Sequence, residues 1–247
     1  VVSKDLVSWE NQGIALYPSK TDDRSGCFSG TAVENDGKMQ LYFTGVNYLV
    51  ENPEDMKGRW RTLFETADGE LALEIGCGKG QFIISHAKAN PQNMYLAIEG
   101  QRNVLLRGLQ KAKAEQLKNV MFFAKYIDDA NDLFEKGEID KIYLNFSDPW
   151  PKDRHARRRL THRDRLKTYF DVLKEDGVIE FKTDNDPLFE FSMEEIRESG
   201  YEIMEYTEDL HNSEYESKYT TTEYEDRFSA GGKNINYVKF KRNTASE

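Results

Sequence analysis

The sequence predicts an α/β fold in which a mostly parallel sheet carries helices on both faces. From about residue 70 onward, short apolar runs alternate with longer helical stretches, which is the order of βαβ units. A glycine-rich turn follows the first apolar run, as it does where a strand passes sharply into a helix. These observations predict a domain whose ligand site lies at the ends of its strands.

The five predicted core strands are apolar runs at residues 71–76, 94–99, 120–124, 141–146 and 178–182. Two later β-prone runs, at 201–207 and 236–241, would add edge strands and complete a seven-stranded sheet. Helices are predicted between the strands, at 81–89, 104–117, 162–173 and 188–199. The chain of 247 residues is long enough for this domain and a small appendage.

Charge is distributed unevenly along the chain. Forty-four acids against 34 Lys and Arg residues give a formal net charge of -10, which repels nucleic acid. Residues 152–167 reverse this balance, because they hold eight basic residues and only two acids. Such a local positive field predicts phosphate docking at one place, and the alternative is a solvated basic helix face.

Other sequence features exclude several classes of protein. No run of about 18 apolar residues is present, so no membrane span is predicted, and no signal-peptide pattern is evident. With only two cysteines, Cys27 and Cys77, we expect a reducing, cytoplasmic setting. The four histidines are scattered without metal-ligand spacing, so we expect no metal site.

The glycine-rich turn at residues 74–80 (EIGCGKG) leads into a predicted helix. Its spacing is GxGxG, whereas the dinucleotide fingerprint is GxGxxG, so an NAD-dependent oxidoreductase is disfavoured. Glu99 closes the second strand, where a carboxylate can accept hydrogen bonds from ribose hydroxyls. An acid before the glycines and another after the second strand resemble the pattern of S-adenosylmethionine-dependent methyltransferases; the alternative is that both acids serve only the fold.

The segment at residues 144–159, LNFSDPWPKDRHARRR, follows the fourth strand. Asp148 can hydrogen-bond a nucleobase and Trp150 can stack on one, although a proline-flanked Trp is equally compatible with packing. The cations that follow can contact phosphates without reading sequence. An acid, an aromatic ring and a basic loop at one strand end therefore predict a site for a nucleobase together with its phosphates.

From about residue 48 to residue 242, the chain resembles the bacterial tRNA (guanine-N7-)-methyltransferase family. Six blocks in the same order carry the resemblance: Asn52-Pro53 with residues 57–60 (KGRW), the turn at 74–80, the segment at 144–159, and residues 181–185 (FKTDN), 209–212 (DLHN) and 222–225 (TEYE). The resemblance implies a Rossmann-like methyltransferase fold and S-adenosylmethionine as the cofactor. It also implies methyl transfer to N7 of a guanine in the variable loop of tRNA, at tRNA position 46.

The resemblance further assigns roles to residues. Asp148 is the implied catalytic residue. The implied cofactor-binding residues are Glu74, Gly76, Gly78, Gly80 and Glu99, and Asp128 is a further candidate at a position that departs from the family's pattern. The implied substrate-binding residues are Lys152, Asp184, Thr222, Glu223, Tyr224 and Glu225, with Arg154, Arg157, Arg158 and Arg159 meeting RNA. The implied partner is tRNA, and the sequence leaves a monomer and a homodimer open.

One position departs from the family's pattern. An Asp usually ends the third strand and recognises the adenine of the cofactor, but the register counted back from Asp148 puts Tyr126 there. Asp128 and Asp129 lie just beyond. A local shift could let Asp128 serve, or Tyr126 could flank the adenine ring.

Residues 1–46 differ from the family's usual opening segment. Residues 3–10 (SKDLVSWE) and 26–32 (GCFSGTA) resemble part of the first propeller blade of sucrose-6-phosphate hydrolases and invertases, and Asp36-Gly37 predicts a hairpin turn. Glycoside hydrolysis needs two carboxylates across the sugar bond, and that family's Asn-Asp-Pro block is missing. We expect a β-rich appendage without a function of its own, a fusion or an artefact of gene assembly, ahead of a methyltransferase domain at 47–247.

The residues alone leave other functions open. A methyltransferase acting on an exocyclic amine of a nucleobase also has an acid or Asn, a Pro and an aromatic residue after its fourth strand, which residues 147–150 partly match. A non-catalytic RNA-binding protein would need the basic segment but not the acids and glycines of the turn. A small-molecule methyltransferase would have no use for the five cations at 152–159.

Overall fold

A computed structural model describes residues 27–35, 38–45, 48–65, 68–215 and 234–243, and in the first two ranges it describes the backbone alone. The chain divides into two compact units, residues 1–49 and residues 50–247. In the first unit, strands β1 (Cys27–Asn35) and β2 (Lys38–Gly45) pair antiparallel. The predicted turn residues Asp36 and Gly37 lie outside the described residues.

The second unit is built on a seven-stranded sheet. Its strands are β3 (Leu71–Ile75), β4 (Met94–Ile98), β5 (Val120–Phe123), β6 (Ile139–Asn145), β7 (Leu173–Thr183), β8 (Glu202–Thr207) and β9 (Asn236–Lys241). Their order across the sheet is β5-β4-β3-β6-β7-β9-β8. Strand β9 runs antiparallel to β7 and β8, and the five strands from β3 to β7 pair parallel. The predicted mostly parallel sheet of seven strands is confirmed.

Four helices connect the strands near their predicted positions: α1 (Gln81–Ala89), α2 (Arg102–Ala114), α3 (Arg163–Val172) and α4 (Asp186–Glu198). Helix α4 begins before predicted residue 188 because Asn185 caps it, with its side-chain oxygen accepting a hydrogen bond from the Leu188 N–H at 2.9 Å. Helix α2 ends before predicted residue 117, and Gln116 just beyond it has a φ of 53°. Among the helices of the described ranges, none is long and apolar enough to cross a membrane.

The helices cover both faces of the sheet. Buried side chains of α3 and α4 join one apolar cluster with Ile142 and Leu144 of β6. Phe82 of α1 instead contacts the ring of Tyr143, with the ring centroids 4.9 Å apart. Because successive side chains on a strand point to opposite faces, α1 lies on the face opposite to α3 and α4.

The segment before β3 packs into the second unit through Trp60. The Trp60 side chain is fully buried, and its ring lies 5.0 Å from Phe123 and 5.4 Å from Phe134, measured between centroids. Its indole N–H donates to the Leu133 carbonyl at 2.8 Å. The Glu138 carboxylate accepts from the backbone N–H groups of Gly58 and Trp60. The KGRW block therefore anchors the chain that leads into the sheet.

Candidate functional site

A cavity of about 530 Å³ lies at the carboxyl ends of β3 to β6. This is the edge at which open α/β sheets bind ligands. The lining comes from the glycine turn, the residues after β4, the loop after β5 and the segment after β6. It includes Gly76, Gly78, Glu99, Gly100, Tyr126, Asp128, Ser147, Asp148, Trp150, Arg158 and Arg165. The structure therefore brings several of the predicted cofactor-binding residues together with Asp148.

The three glycines of the turn differ in their surroundings. All have positive φ, 81° at Gly76, 55° at Gly78 and 72° at Gly80. A Cβ at Gly76 or Gly78 would meet no atom within 4 Å, and both residues line the cavity. A Cβ at Gly80 would lie 3.1 Å from the Phe122 ring, so this glycine serves the packing of α1. Gly76 and Gly78 leave the backbone open to a ligand.

The Glu99 carboxylate is held by the backbone of two neighbouring turns. Its Oε2 accepts a hydrogen bond from the Gly78 N–H at 3.0 Å, and its Oε1 accepts from the Gln101 N–H at 2.9 Å. The side chain is half-buried and lines the cavity. Each carboxylate oxygen has a second lone pair, so Glu99 can still accept from a ligand hydroxyl.

Glu74 lies in the wall rather than in the lining of the cavity. The residue is 2% exposed, and its Oε1 accepts a hydrogen bond from Asn145 Nδ2 at 2.9 Å. Its Oε2 has no hydrogen-bond partner within the described part of the chain. Burial raises the pKa of Glu74 to about 7, although the Asn145 hydrogen bond and the charge of Lys182 act in the opposite direction.

The three candidates for adenine recognition, all in the loop after β5, have different surroundings. Tyr126 is 72% exposed and lines the cavity, and its ring lies against Gly100, where a Cβ would be only 2.1 Å from Tyr126 Cε1. Asp128 also lines the cavity, but its carboxylate accepts from Arg165 Nη2 at 3.0 Å. The Asp129 side chain accepts from the backbone N–H of Asn131 and is not among the lining residues.

Asp148 lies on a short loop with unusual backbone angles. Phe146 and Trp150, on either side of it, have φ values of 48° and 42°, in a region that non-glycine residues rarely adopt. The Phe146 N–H donates to the Lys182 carbonyl at 2.9 Å, which fixes the start of the loop on β7. Asp148 itself is exposed and faces the cavity, and the Ser147 hydroxyl is buried without a partner among the described residues. Backbone strain of this kind is concentrated at functional sites.

Lys152 and Asp184, two further substrate-binding candidates, are not among the residues that line the cavity. Lys152 is exposed and precedes a short 3-10 helix, Asp153–Arg158. Asp184 follows β7 and is half-buried. Because Asn145 pairs with Lys182, Asp184 leaves the sheet beside the Asp148 loop. Thr222, Glu223, Tyr224 and Glu225 lie outside the described residues.

The four candidate arginines do not share one orientation. Arg154 and Arg157 are exposed, and Arg158 is exposed with its guanidinium 4.8 Å from the Trp150 ring centroid. Arg159 is 9% exposed and donates to the carbonyl oxygens of Pro149 and Trp150. Arg159 therefore faces the protein, whereas the sequence predicted an RNA contact.

Several residues of the site have no role predicted from the sequence. Gly100 and Arg165 line the cavity but lie outside the predicted motifs, whereas Ser147, which also lines it, and Asn145, which supports Glu74, belong to the segment at 144–159 without a predicted role. Arg165 was counted only as part of the basic segment. Arg165 precedes the buried Tyr169 and Val172 of α3 by four and seven residues, and this helical spacing is a signal that could have suggested an inward-facing arginine. Within the described ranges, no group of three or more His, Cys, Asp or Glu residues could hold a metal ion.

The chain is similar to known methyltransferases in sequence. Residues 68–238 match the family model for a putative methyltransferase. The tRNA (guanine-N(7)-)-methyltransferase of Lachnoclostridium phytofermentans is 45% identical over 194 residues, which is 78% of this chain and 90% of that protein. The tRNA (guanine-N(7)-)-methyltransferase of Bacillus subtilis is 45% identical over 186 residues, 75% of this chain and 86% of that protein.

The chain belongs to the tRNA (guanine-N(7)-)-methyltransferase family. The family resemblance drawn from the sequence blocks is thereby confirmed. Solved structures agree at the level of fold: an antibiotic-related methyltransferase superposes with a TM-score of 0.55 at 21% identity, covering 77% of this chain and 94% of that one. The 16S rRNA methyltransferase KamB gives 0.52 at 14% identity, covering 72% and 88%. The Rossmann-like methyltransferase fold is therefore confirmed.

Residues 1–66 are similar to a different family, the N-terminal domain of family 32 glycosyl hydrolases. This match agrees with the invertase-like resemblance of residues 1–46. The last residues of the matched range overlap the KGRW block, whose Trp60 is buried within the second unit.

The cavity fits the cofactor that membership of this family implies, S-adenosylmethionine. Its volume lies in the range of small-molecule sites, about 300 to 1,000 Å³. Gly76 and Gly78 present bare backbone, and Ser147 Oγ is a buried polar atom without a partner among the described residues. The acids Glu74 and Glu99 suit a ligand that carries an ammonium group and ribose hydroxyls.

Proposed function

We propose that this protein transfers a methyl group from S-adenosylmethionine to N7 of a guanine in tRNA. One observation carries the proposal: a single cavity joins the backbone of Gly76 and Gly78 and the Glu99 carboxylate on one side to Asp148 on the other. A methyl transfer requires donor and acceptor to meet in one place, and this arrangement supplies one side for each. Family membership supports the same activity.

The acceptor chemistry needs alignment more than proton transfer. When bound, S-adenosylmethionine supplies a methyl group on a positively charged sulfur. Guanine N7 carries a lone pair and no proton at neutral pH, so no residue has to act as a base. The N7–CH3 bond forms as the S–CH3 bond breaks, and the purine gains the positive charge. The protein must hold N7 in line and stabilise that charge.

On the cofactor side, Glu99 accepts from ribose hydroxyls and Glu74 supplies negative charge beneath the glycine turn. Asp128 borders the same side. We assign the adenine contact to Tyr126, whose exposed ring lines the cavity and rests on Gly100. The Asp128 carboxylate is engaged by Arg165 and Asp129 caps the following 3-10 turn, which favours Tyr126 over both acids.

On the acceptor side, Asp148 orients the guanine and offsets its developing positive charge. Its exposure within the cavity and the strained backbone on both sides support this role. Asp184 can accept from the guanine N1–H and N2 amine, because it leaves β7 next to the Asp148 loop. Lys152 and residues 222–225 complete the substrate side in this proposal, as the family resemblance implies.

The outward arginines dock the RNA. Arg154, Arg157 and Arg158 are exposed on one short 3-10 helix beside the cavity. The net charge of -10 opposes RNA binding elsewhere on the chain, so these cations define where phosphates bind. A tRNA substrate also favours a cytoplasmic place of action, and the family suggests the variable-loop guanine at tRNA position 46.

The test is an assay on unmodified tRNA with radiolabelled S-adenosylmethionine, followed by nucleoside analysis. We expect the label in 7-methylguanosine, and its loss when the variable-loop guanine is replaced by adenine. Label in an N-methylated adenine or cytosine would instead support the exocyclic-amine alternative, which the Ser-Asp-Pro-Trp sequence after β6 keeps open. Binding of tRNA without any transfer would support a non-catalytic RNA-binding protein.

The same assay tests the division of the chain. We infer that residues 1–46 take no part in methyl transfer and that a domain of residues 47–247 does. The separation into units at residues 49 and 50 and the burial of Trp60 in the second unit support this boundary. Removing residues 1–46 should leave the rate of 7-methylguanosine formation within about twofold, because the described residues that line the cavity all belong to the second unit. Complete loss would show that the appendage contributes to RNA binding.

A further inference from the structure

Arg159 is held in a way that is unusual for an RNA-binding side chain. Its guanidinium Nε donates to the Pro149 carbonyl at 3.1 Å, and its Nη2 donates to the Trp150 carbonyl at 3.1 Å. Its carbon Cζ lies 4.3 Å from the ring centroid of Phe191 in α4. Arg159 thus ties the loop that carries Asp148 to the body of the domain, at the point where Trp150 has positive φ.

Arg165 makes the equivalent connection on the other wall of the cavity. It donates to the carbonyl of Ile127 and to the Asp128 carboxylate, both in the loop after β5. Its Nε donates to the Arg157 carbonyl at 3.2 Å, at the end of the short helix that carries the outward arginines. Its side chain is 13% exposed. The Arg165 side chain therefore joins the loop after β5, which carries Tyr126, to the short 3-10 helix that carries the outward arginines.

We propose that Arg159 and Arg165 are positioning residues, which hold two walls of the cavity in their catalytic geometry. Arg159 holds the acceptor wall, the loop that carries Asp148. Arg165 holds the part of the cofactor wall that follows β5, with Tyr126 and Asp128; the rest of that wall is the glycine turn and Glu99. The proposal rests on the proposed function. It removes Arg159 from the arginines expected to contact RNA, and it gives Arg165, one of the eight basic residues at 152–167, a role other than phosphate docking. Arg159 acts through the loop that bears Asp148. Arg165 acts through Ile127 and Asp128, which line the cavity, and through Arg157.

The contacts distinguish positioning from phosphate binding. A phosphate contact depends on positive charge, which lysine also supplies as a point charge. At Arg159, two different nitrogens of one planar guanidinium donate to two backbone carbonyls. The lysine ammonium offers its donors from a single nitrogen on a shorter, flexible stem, so it cannot keep this geometry. An Arg→Lys change should therefore be damaging at Arg159 and Arg165 even though it conserves the charge.

The experiment compares four charge-conserving or charge-removing variants of the full-length protein. Arg159→Lys and Arg165→Lys test the proposal, and Arg154→Ala tests an outward arginine. Arg107→Lys is the matched control, because Arg107 is exposed on α2 and hydrogen-bonds only to the nearby Gln110 among the described residues. For each variant, kcat and the KM for tRNA come from the methylation assay, and the Kd for S-adenosylhomocysteine comes from calorimetry.

We expect a different parameter to change at each position. Arg159→Lys should lower kcat by about 10- to 100-fold and leave the KM for tRNA within about twofold, because a shift of about 1 Å in a reacting group costs up to that much. Arg165→Lys should raise the Kd for S-adenosylhomocysteine by about tenfold, since the wall it holds loses two contacts. Arg154→Ala should mainly raise the KM for tRNA, and Arg107→Lys should change none of the three.

A second variant covers the case in which Arg159→Lys does not fold. Phe191→Leu keeps both arginines and removes only the ring beneath Arg159, so it should lower kcat in the same direction by a smaller factor. Wild-type kcat with a raised KM for tRNA in Arg159→Lys would overturn its positioning role. An unchanged Kd in Arg165→Lys would overturn the role of Arg165. If the wild-type protein forms no 7-methylguanosine, the proposed function fails, but the Kd measurements still test the cofactor wall.

Discussion

The two walls of the cleft are built from different parts of the chain. The cofactor wall consists mainly of backbone at the ends of β3 and β4, where Gly76 and Gly78 leave space and backbone N–H groups hold Glu99. The acceptor wall consists mainly of side chains on a loop after β6, with Asp148 exposed between two residues of positive φ. The cofactor wall is set mainly by the geometry of the sheet, with Arg165 supporting its side after β5. The acceptor wall depends on Arg159, a side chain outside the loop that it holds.

This difference separates binding from turnover. Changes in the cofactor wall should alter the Kd of the cofactor, because they fill or open space in a fixed frame. Changes in the acceptor wall should alter kcat, because they affect the orientation and charge of the base as the methyl group moves. A variant of one wall that changes both the Kd of the cofactor and kcat would contradict this separation.

The largest effect is expected from Asp148→Asn. The change keeps the shape of the side chain and removes the charge that offsets the positive purine. We expect kcat to fall by about 100- to 1000-fold, as when one preorganised electrostatic group is lost from an active site. The Kd for S-adenosylhomocysteine, measured by calorimetry, should remain at the wild-type value.

Asp153→Asn provides the control for charge. Asp153 is an exposed acid at the start of the short 3-10 helix and does not line the cavity. Its change should not lower kcat. A comparable fall in kcat for both variants, or a weakened Kd in Asp148→Asn, would contradict the assignment of Asp148 to the acceptor.

A smaller effect, on affinity, is expected from Gly78→Ala. The left-handed backbone at φ 55° costs about 1 to 2 kcal/mol for alanine, and the new methyl group points into the cavity. We expect the Kd for S-adenosylhomocysteine to rise by more than about tenfold, while kcat at saturating cofactor changes less. Calorimetry and the methylation assay measure the two parameters.

Gly137→Ala is the matched control, because Gly137 has a similar left-handed backbone but lies outside the cavity lining. Gly137 has a φ of 70° and no atom within 4 Å of an added Cβ, and it does not line the cavity. Both variants should lower the free energy of unfolding in urea by similar amounts. Only Gly78→Ala should lower the affinity for the cofactor. Equal Kd values in the two variants would show that space above Gly78 is not used by the cofactor.

The same contrast explains what could be predicted from the sequence. The positions of the seven strands along the chain, the glycine turn and the candidate Asp148 follow from local patterns, because strand periodicity and glycine spacing act over a few residues. The inward direction of Arg159 and Arg165 depends on carbonyl groups of loops that approach them only in the folded chain. The eight basic residues at 152–167 predict a local positive field, but their sequence does not distinguish an arginine that faces outward from one that faces the protein. The Gly100–Tyr126 contact was unpredictable for the same reason.

A pH effect of up to about tenfold is expected from Glu74, because its pKa of about 7 lies within the assay range. The ammonium group of the cofactor favours the ionised carboxylate, so binding lowers this pKa. Affinity should therefore weaken as pH falls from 8 to 6 and be level above the pKa. Calorimetry with S-adenosylhomocysteine measures the dependence.

Glu74→Gln should abolish this low-pH weakening, with the Kd near that of the protonated wild-type protein at each pH. Glu180→Gln is the matched control, since Glu180 is also buried in the sheet and burial raises its pKa, but it pairs with Lys141. The low-pH weakening should persist in Glu180→Gln. Its persistence in Glu74→Gln would show that another group senses the cofactor.

The smallest effects are expected from Arg154 and Arg157, two exposed arginines of the short 3-10 helix that are not among the residues lining the cavity. Each phosphate contact releases counterions, so Arg154→Ala and Arg157→Ala should each lower the slope of log K for tRNA against log salt by about 1. Their kcat at saturating tRNA should change far less than in Asp148→Asn. Arg107→Ala, which removes an exposed charge from α2, should leave the slope unchanged. An equal change of slope at Arg107 would mean that the RNA extends over the cofactor side of the sheet, and the two walls would then share the docking of tRNA.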